Sequence, residues 1–264
     1  MAAASSGIQR ESARPARQVY WRDSLRTRMV LWSSLLNAGL LLVMALAFYA
    51  GARALIVQNA RAEAENLAQQ TVRSLQATLD SVQVSGRTLA AGATSVGVQP
   101  SNLRSLLLAS LAGDPDIAGA MVILEPRQLP GDVDGFTWYV RRDGAHLVEQ
   151  SVADLGYDYR IMPWYLRTAD SPDPWWSEPY ANAATGGEYF ATFNLPLRVS
   201  AARRGGRQVG MVSLDVPVGR LAELAKGVSG QGLQPMLFSP EGLAVVHPDP
   251  DVQMRLDVAA LAAR

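Results

Sequence analysis

The stretch "GGEYFATFNLPLRVSAARRGGRQVGMVSLDVPV", residues 186–218, holds two runs rich in β-branched and aromatic residues on either side of the polar connection "SAARRGG". Runs of this composition, bounded by glycine and polar clusters, predict β-strands. A connection this short joins antiparallel neighbours, because a parallel pair needs a longer crossover. The stretch therefore predicts two adjacent strands of an antiparallel sheet.

The flanking sequence adds strands and helices to this pair. A buried strand is predicted from Ala118 to Leu124, and "FTWYV", "RRDG" and "AHLVEQ" (136–140, 141–144 and 145–150) predict a hairpin. Helices are predicted from Leu103 to Ala112, capped by Ser101 or Asn102, and over residues 219–228. A second hairpin should turn at residues 240–242. Short links between strand pairs indicate an α+β fold, with an antiparallel sheet packed against helices.

A membrane-spanning helix is predicted near the N-terminus. Met29 to Ala50 reads "MVLWSSLLNAGLLLVMALAFYA", without a charged residue. About 20 apolar residues cross the hydrocarbon layer as a helix. Trp32 near one end and Tyr49 near the other are typical of the membrane interfaces. The alternative is a cleaved signal peptide, but its apolar core would be shorter, about 7–15 residues.

Charge in the preceding tail predicts the orientation. Six arginines precede or border the span, against Glu11 and Asp23. Basic residues favour the cytoplasmic side, so the chain after the span should lie outside the inner membrane. We therefore expect a cytoplasmic tail over 1–28 and a transmembrane helix over 29–51.

The residues after the span predict a long helix. From Arg53 to about Val84 the chain is rich in helix formers, and apolar residues recur on one face. That face consists of Ala64, Leu67, Ala68, Val72, Leu75, Leu79 and Val82. Glycines at 86, 92 and 97 should loosen the chain beyond it. The helix fits an ordinary packing helix as well as a stalk that carries motion to the membrane.

Composition and motifs argue against several classes of function. Lys+Arg and Asp+Glu are both 24, so no net charge favours nucleic acid. The absence of cysteine excludes disulfides and thiolate chemistry. The two histidines lie in separate segments, and no metal-binding, phosphate-binding or catalytic motif is present. We therefore expect no catalytic residue, no metal and no cofactor.

The most unusual stretch is "YDYRIMPWYLRTADSPDPWWSEPY", residues 157–180. It holds three of the six tryptophans and four of the eight tyrosines. Four prolines prevent one long helix. Trp175 and Trp176 are interpreted as core residues, whereas Trp164 and Tyr165 favour ligand binding over core packing only through the resemblance described next.

These segments together resemble the double Cache sensor domain of bacterial transmembrane receptors. The resemblance rests on the anchor, the long helix, "PWYLRTA", "WWSEPY", "NLPL" and "GMVSLDVPVGRLAEL". It implies a membrane-distal, PAS-like module over 52–230, with the stalk helix, and the truncated start of a proximal module over 231–264. In that family small molecules bind the distal module, and the receptors work as dimers.

The resemblance also implies ligand-binding residues. Family members that bind amino acids carry an ordered set of aromatic residues, an arginine and an aspartate. The similar positions here are Tyr157, Trp164, Tyr165, Tyr180 and Asp215. The arginine position falls on Met162, and a thioether cannot replace the charge-assisted hydrogen bonds that hold a carboxylate. Arg160 is a poor substitute, since it would point to the opposite face of an extended segment.

The predicted site therefore favours a cation. Aromatic faces attract cations, and Asp215 would supply the counter-charge for an amine or quaternary ammonium. The expected partner is therefore a small amine or an amino-acid-like molecule. Alternatively, Asp215 caps the following helix.

We expect the extracytoplasmic sensor region of a homodimeric receptor in the bacterial inner membrane, with its output module beyond residue 264. Two alternatives are a membrane-anchored periplasmic enzyme and a structural protein that docks through exposed aromatic residues.

Overall fold

The computed structural model describes residues 24–95, 98–128, 135–182, 187–198, 208–226 and 234–263. The chain divides into two compact units, residues 1–62 and 63–264. The predicted connection at 200–206 and the predicted module boundary near 230 lie outside the described residues.

The first unit contains the predicted membrane helix. Helix α1 is assigned to Leu25–Ala93, and its apolar segment is long enough to cross a membrane. Large apolar side chains such as Trp32, Leu41 and Phe48 are exposed there. Exposed apolar side chains over this length are typical of a helix that faces lipid.

In the second unit α1 packs through a narrower face than the sequence predicts. Leu75 and Val82 are buried as expected, together with Leu89, but Val72 is exposed. Ala68 is exposed as well. Ala64 and Leu67 are half-buried, so the predicted face is only partly covered before Leu75 and fully buried positions begin at Leu75.

The prediction that glycines loosen the chain after Val84 is wrong at Gly86 and Gly92, because both lie within α1. A Cβ at position 86 would lie 3.0 Å from Phe193 and 3.3 Å from Leu214. Gly86 therefore allows the helix to approach the sheet closely, and this contact compensates for the low helix propensity of glycine.

The remaining elements follow in chain order. They are α2 (Pro100–Gly113), β1 (Gly119–Leu124), β2 (Phe136–Asp143), β3 (His146–Ser151), 3₁₀ turns at Val152–Leu155 and Tyr159–Ile161, α3 (Pro163–Asp170), β4 (Trp175–Trp176), β5 (Tyr180–Asn182), β6 (Glu188–Arg198), β7 (Gln208–Pro217), α4 (Val218–Lys226), β8 (Leu237–Phe238), β9 (Ala244–Val246) and α5 (Val258–Ala262). The predicted α+β class is confirmed.

The described strands form one seven-stranded antiparallel sheet and one small hairpin. The large sheet has the order β3-β2-β1-β7-β6-β4, and β5 pairs with β6. Strand β1 therefore lies between the hairpin β2–β3 and the pair β6–β7. Both strand pairs predicted from the sequence are present.

The two faces of the sheet carry different residues. Ala120, Val122, Val212 and Leu214 share a core with α1 and α2. Alternate residues of the same strands point to the other face, as the twofold period of a strand requires. On that face Ile123 and Met211 pack with Tyr159 and Tyr165 from the aromatic segment. This second face carries the candidate site.

Two local predictions need correction. The N-cap of α2 is Gln99, not Ser101 or Asn102, because Pro100 occupies the first turn with its fixed φ angle. The hairpin turns at Gly144 and Ala145, while Arg141 and Arg142 lie within β2. Gly144 has φ 58°, a left-handed conformation that glycine adopts readily.

The predicted second hairpin forms from β8 and β9. Gly242, with φ 91°, donates its N–H to the Ser239 carbonyl at the turn. Val245 and Val246 pack against Val218 and Ala222 at α4. The hairpin therefore rests on the helix that directly follows β7.

Candidate ligand-binding site

A cavity of about 710 Å³ lies between the second face of the sheet and the aromatic segment. Its described lining residues are Met121, Tyr139, Tyr157, Pro163, Trp164, Ser177, Tyr180, Ala181, Asn182, Thr192, Asn194, Ser213 and Asp215. A volume of this size accommodates a small organic molecule.

Strand register assembles the floor of the cavity. Asp215 on β7 lies opposite Thr192 on β6 and Gly119 on β1. Two residues away along the strands, Ser213 lies opposite Asn194. Directly opposed residues point to the same face of a sheet, so these side chains share the floor.

Among the described lining residues, Asp215 is the charged one. Only 6% of its surface is exposed. Its carboxylate accepts hydrogen bonds from Thr192 Oγ1 at 2.7 Å and from the Tyr139 hydroxyl at 3.0 Å. Burial raises the pKa of Asp215 above its usual value, and the two hydrogen bonds partly oppose that rise.

Among the described lining residues, none is a lysine, arginine or histidine. The buried carboxylate therefore has two neutral hydrogen-bond donors but no cation from these residues. An ionised carboxylate in such a place is costly without an opposite charge. A cationic ligand would supply that charge.

Gly119 makes room for the bond between Tyr139 and Asp215. A Cβ at position 119 would lie 2.6 Å from Asp215 Oδ2 and 2.7 Å from the Tyr139 hydroxyl. Both distances are below van der Waals contact. A side chain at this position would therefore displace one of the two partners.

Three of the four predicted aromatic residues line the cavity: Tyr157, Trp164 and Tyr180. The Tyr180 hydroxyl lies 3.0 Å from Thr192 Oγ1. Because the single hydroxyl proton of Thr192 goes to Asp215, Tyr180 donates to Thr192. The three groups form a series of hydrogen bonds that ends at the carboxylate.

The fourth predicted residue, Tyr165, does not line the cavity. It is 8% exposed, packs edge-on against Tyr159, and donates its hydroxyl proton to Glu125. Successive residues of a helix point about 100° apart. Because Trp164 faces the cavity from α3, Tyr165 faces the core beside it, and its assignment to the ligand wall is corrected.

The tryptophans assigned to the core lie outside the described lining. The Trp176 ring packs against Phe193 at 5.2 Å between centroids. Trp175 donates to Thr168 Oγ1, and the Arg167 guanidinium lies 3.8 Å from its ring centroid. These contacts agree with the structural role predicted for both residues.

Neither residue near the family's arginine position brings a charge into the described lining. Met162 packs beside the cluster of Tyr159 and Tyr165. Arg160 holds its guanidinium over the Tyr159 ring, 4.7 Å from the centroid. The interpretation of Arg160 as a poor substitute therefore agrees with its position.

Asp215 is also not the cap of the following helix. Helix α4 begins at Val218, and the Asp215 carboxylate accepts its hydrogen bonds from Thr192 and Tyr139. The carboxylate points into the sheet floor, away from the capping role considered as its alternative.

The sequence analysis missed several floor residues: Met121, Tyr139, Thr192, Asn194 and Ser213. One signal was available, because Thr192 and Asn194 alternate with apolar residues in one strand and Ser213 and Asp215 do so in the next. Polar residues at every second position of two neighbouring strands indicate a shared polar face.

The chain is similar to known sensor proteins. A family model described as the methyl-accepting chemotaxis protein-like, first PDC sensor domain matches residues 103–223. A solved structure of methyl-accepting chemotaxis protein X is 20% identical, with 77% of this chain and 78% of that chain covered and a TM-score of 0.58.

Two further solved structures are ligand-binding domains of chemoreceptors. CtaA of Pseudomonas fluorescens, solved with L-valine, is 21% identical over 75% of this chain and 78% of that chain, with a TM-score of 0.52. PctC of Pseudomonas aeruginosa, solved with GABA, is 18% identical over 72% and 77%, with a TM-score of 0.51. At these identities the likeness shows a shared fold.

The family match coincides with the sheet and the cavity described above, and the solved structures share the fold. Both agree with the resemblance seen in the sequence. Residues 103–223 are therefore similar to the first PDC sensor domain of methyl-accepting chemotaxis proteins, and the chain shares the fold of the solved sensor domains.

Proposed function

We propose that this chain is the extracytoplasmic sensor region of a bacterial transmembrane receptor, and that its cavity binds a small organic cation. The observation that carries the proposal is the buried Asp215 carboxylate, which faces a cavity whose described lining contains no basic residue. Tyr157, Trp164 and Tyr180 add aromatic surface, which attracts cations by about 0.5–2 kcal/mol each.

The same lining disfavours a ligand carboxylate. L-valine and GABA, found in the structures of CtaA and PctC, each carry an ammonium and a carboxylate group. Asp215 suits the ammonium, but the described lining offers no cation for the carboxylate. A buried carboxylate without a partner is costly. The favoured ligand is therefore an amine or quaternary ammonium without a carboxylate.

The structural and docking alternative receives less support. That alternative requires the aromatic residues to form an exposed patch. Trp164 instead lines a cavity together with a buried carboxylate, and Tyr165 is buried. This arrangement favours ligand binding.

We further propose that ligand binding shifts the stalk part of α1. Gly86 of α1 lies against Phe193 and Leu214, the strand neighbours of Thr192 and Asp215. A ligand that displaces Thr192 or Asp215 would therefore move residues that pack directly against α1 on the other side of the sheet. Ligands shift such equilibria only through differential affinity for the two states.

A second connection runs through Asp116, just before β1. Its carboxylate accepts from Thr78 of α1 at 3.0 Å and from Arg220 of α4 at 2.6 Å. Nearby, the Ala118 N–H donates to the Asp215 carbonyl at 2.9 Å. Asp116 thus connects the stalk helix to two segments near Asp215. One is the start of β1, the strand beside β7, and the other is α4, which directly follows β7.

Membrane placement and assembly complete the proposal. The arginine-rich tail over 1–28 would lie in the cytoplasm, and the span over 29–51 would cross the inner membrane. The distal module over 52–230 would lie outside, and residues 231–264 would belong to a proximal module. Pairs of such chains would act as homodimers. The basic tail supports the orientation, and the family match supports the sensor role.

A four-compound thermal-shift experiment tests the ligand class. The full chain in detergent micelles is heated with butylamine, butyrate, 4-aminobutanoate or butanol, which share a four-carbon chain and differ in charge. Butylamine should raise the melting temperature most; at 100-fold excess over Kd, binding stabilises by about 2.7 kcal/mol. Stabilisation by butyrate or 4-aminobutanoate, but not by butylamine, would overturn the cation proposal.

Hydrogen exchange tests the transmission to α1. Butylamine should slow exchange of the α1 amides between Leu75 and Leu89, and Asp116→Asn should reduce that effect without abolishing binding. Glu223→Gln is the matched control, since Glu223 also pairs with Arg220 but is exposed. Unchanged exchange in α1 on binding would contradict the proposed route.

A further inference from the structure

A neutral polar pair lies on the cavity floor beside the charged site. Asn194 and Ser213 are 2% and 3% exposed. Ser213 Oγ donates to Asn194 Oδ1 at 2.8 Å, and Asn194 Nδ2 donates to the Thr192 carbonyl at 3.2 Å. Both residues line the cavity.

The pair retains hydrogen-bonding capacity that these contacts do not use. Because the Thr192 carbonyl can only accept, the amide nitrogen of Asn194 faces it, and one of the two amide protons is engaged. Within the described part of the chain, the second amide proton and the acceptor sites of Ser213 Oγ have no other partner in the cavity. They are therefore available to a ligand.

The fold itself does not need polar residues at these positions. The next pair on the same face of β6 and β7 is Pro196 opposite Met211, and Met211 is fully buried. Burying polar groups with unused capacity costs free energy, whereas apolar residues at such positions stabilise the core. A ligand group that completes the hydrogen bonds would explain the polar pair.

Strand geometry sets the distance between this pair and the charged group. Asn194 and Ser213 lie two residues along their strands from Thr192 and Asp215. With a rise of about 3.4 Å per residue, the two subsites are roughly 7 Å apart. The distance from the nitrogen to the oxygen of an extended 4-amino-1-butanol molecule is similar.

We infer that the ligand carries an uncharged hydrogen-bonding group, such as a hydroxyl or an amide, roughly 7 Å from its cationic nitrogen, and that Asn194 and Ser213 bind that group. The inference rests on the proposed function, because Asp215 must hold the cation. Since the pair is neutral, a second ammonium or a carboxylate at this end would remain without an opposite charge.

Titration calorimetry on the full chain in detergent micelles tests the inference. The probes are butylamine, 4-amino-1-butanol and 1,4-diaminobutane, which share the amine and differ at the far end. We expect 4-amino-1-butanol to bind about 3- to 10-fold more tightly than butylamine, as one neutral hydrogen bond produces. The diamine should bind more weakly than the amino alcohol.

Variants separate the subsite from general effects on folding. Ser213→Ala alone, and combined with Asn194→Leu, should abolish the preference for the amino alcohol over butylamine. Ser110→Ala is the control, because it makes the same exchange on α2, outside the described lining of the cavity. It should leave the preference unchanged.

The outcomes distinguish the two proposals. Equal binding of butylamine and 4-amino-1-butanol by the unaltered chain, or a preference that survives the double variant, would overturn this inference and leave the cation site intact. If none of the three amines binds, the proposed function fails, and the inference fails with it.

Discussion

The hydroxyl of Tyr139 on β2 donates a hydrogen bond of 3.0 Å to the carboxylate of Asp215 on β7, across the intervening strand β1. The bond joins residues that are 76 positions apart in the sequence. It passes over Gly119, whose missing side chain leaves the space for it. The charged centre of the site thus depends on three different strands.

The first prediction concerns that space. Gly119→Ala would place a Cβ 2.6 Å from Asp215 Oδ2, and should lower the free energy of unfolding by about 1–3 kcal/mol through overpacking. It should also weaken binding of butylamine. Gly113→Ala is the control, because a Cβ there meets nothing within 4 Å. Chemical denaturation and calorimetry measure both effects; equal behaviour of the two variants would contradict the role of Gly119.

The second prediction separates two adjacent aromatic residues of α3. Trp164→Ala should weaken butylamine binding by about 0.5–2 kcal/mol, because it removes a cation–π surface from the cavity. Tyr165→Phe should leave the Kd unchanged. It should instead lower the free energy of unfolding by about 1–3 kcal/mol, since the hydrogen bond to Glu125 is lost. If Tyr165→Phe weakened binding and Trp164→Ala did not, Tyr165 and not Trp164 would contact the ligand.

The third prediction restores the family's arginine. Met162→Arg should increase the affinity for 4-aminobutanoate relative to butylamine, because a guanidinium can bind a carboxylate through two hydrogen bonds. Met162 precedes Pro163 and Trp164, which both line the cavity. Met162→Lys should have a smaller effect, since an ammonium lacks the planar fork. Unchanged selectivity in Met162→Arg would show that this position does not reach the ligand.

The sequence predicted the elements that depend on local composition. Strands β6 and β7 were recognisable from their apolar runs, and the order of aromatic residues pointed to Tyr157, Trp164, Tyr180 and Asp215. These features lie within one continuous part of the chain. Local residue propensity predicted the two strands, and the order of the motif residues predicted these four site positions.

The rest depends on long-range contacts. The pairing of β1 with β7 brings Gly119 opposite Asp215, and only the complete sheet determines that register. Tyr139 reaches the site for the same reason. Tyr165 was misassigned because the start of α3 at Pro163 determines its side-chain direction, whereas the four prolines indicate only that the segment is not one long helix.

The fourth prediction concerns orientation in the membrane. An alkaline phosphatase reporter fused after Val84 should be active, and one fused after Arg26 should be inactive, because the enzyme works only outside the cytoplasm. The arginine-rich tail is the physical reason. The opposite pattern of activity would contradict the orientation and the sensor role that depends on it.

The fifth prediction follows from the raised pKa of Asp215. Only the ionised carboxylate attracts a cation, and butylamine stays protonated at acidic and neutral pH. The affinity for butylamine should therefore be highest at pH values above the raised pKa of Asp215, and it should fall as the pH drops through that pKa. In the absence of ligand, the raised pKa means that this carboxyl destabilises the fold as pH rises through its unfolded and then its folded value.

Titration calorimetry of butylamine into the full chain and into Asp215→Asn tests the central claim most directly. The substitution removes the charge and keeps the shape of the side chain. Removing one partner of a buried ion pair costs about 3–5 kcal/mol, so we predict an affinity loss of about 100-fold or more and no remaining dependence on the titration of residue 215. Equal affinity of the two proteins for butylamine would contradict the claim that Asp215 binds a cation.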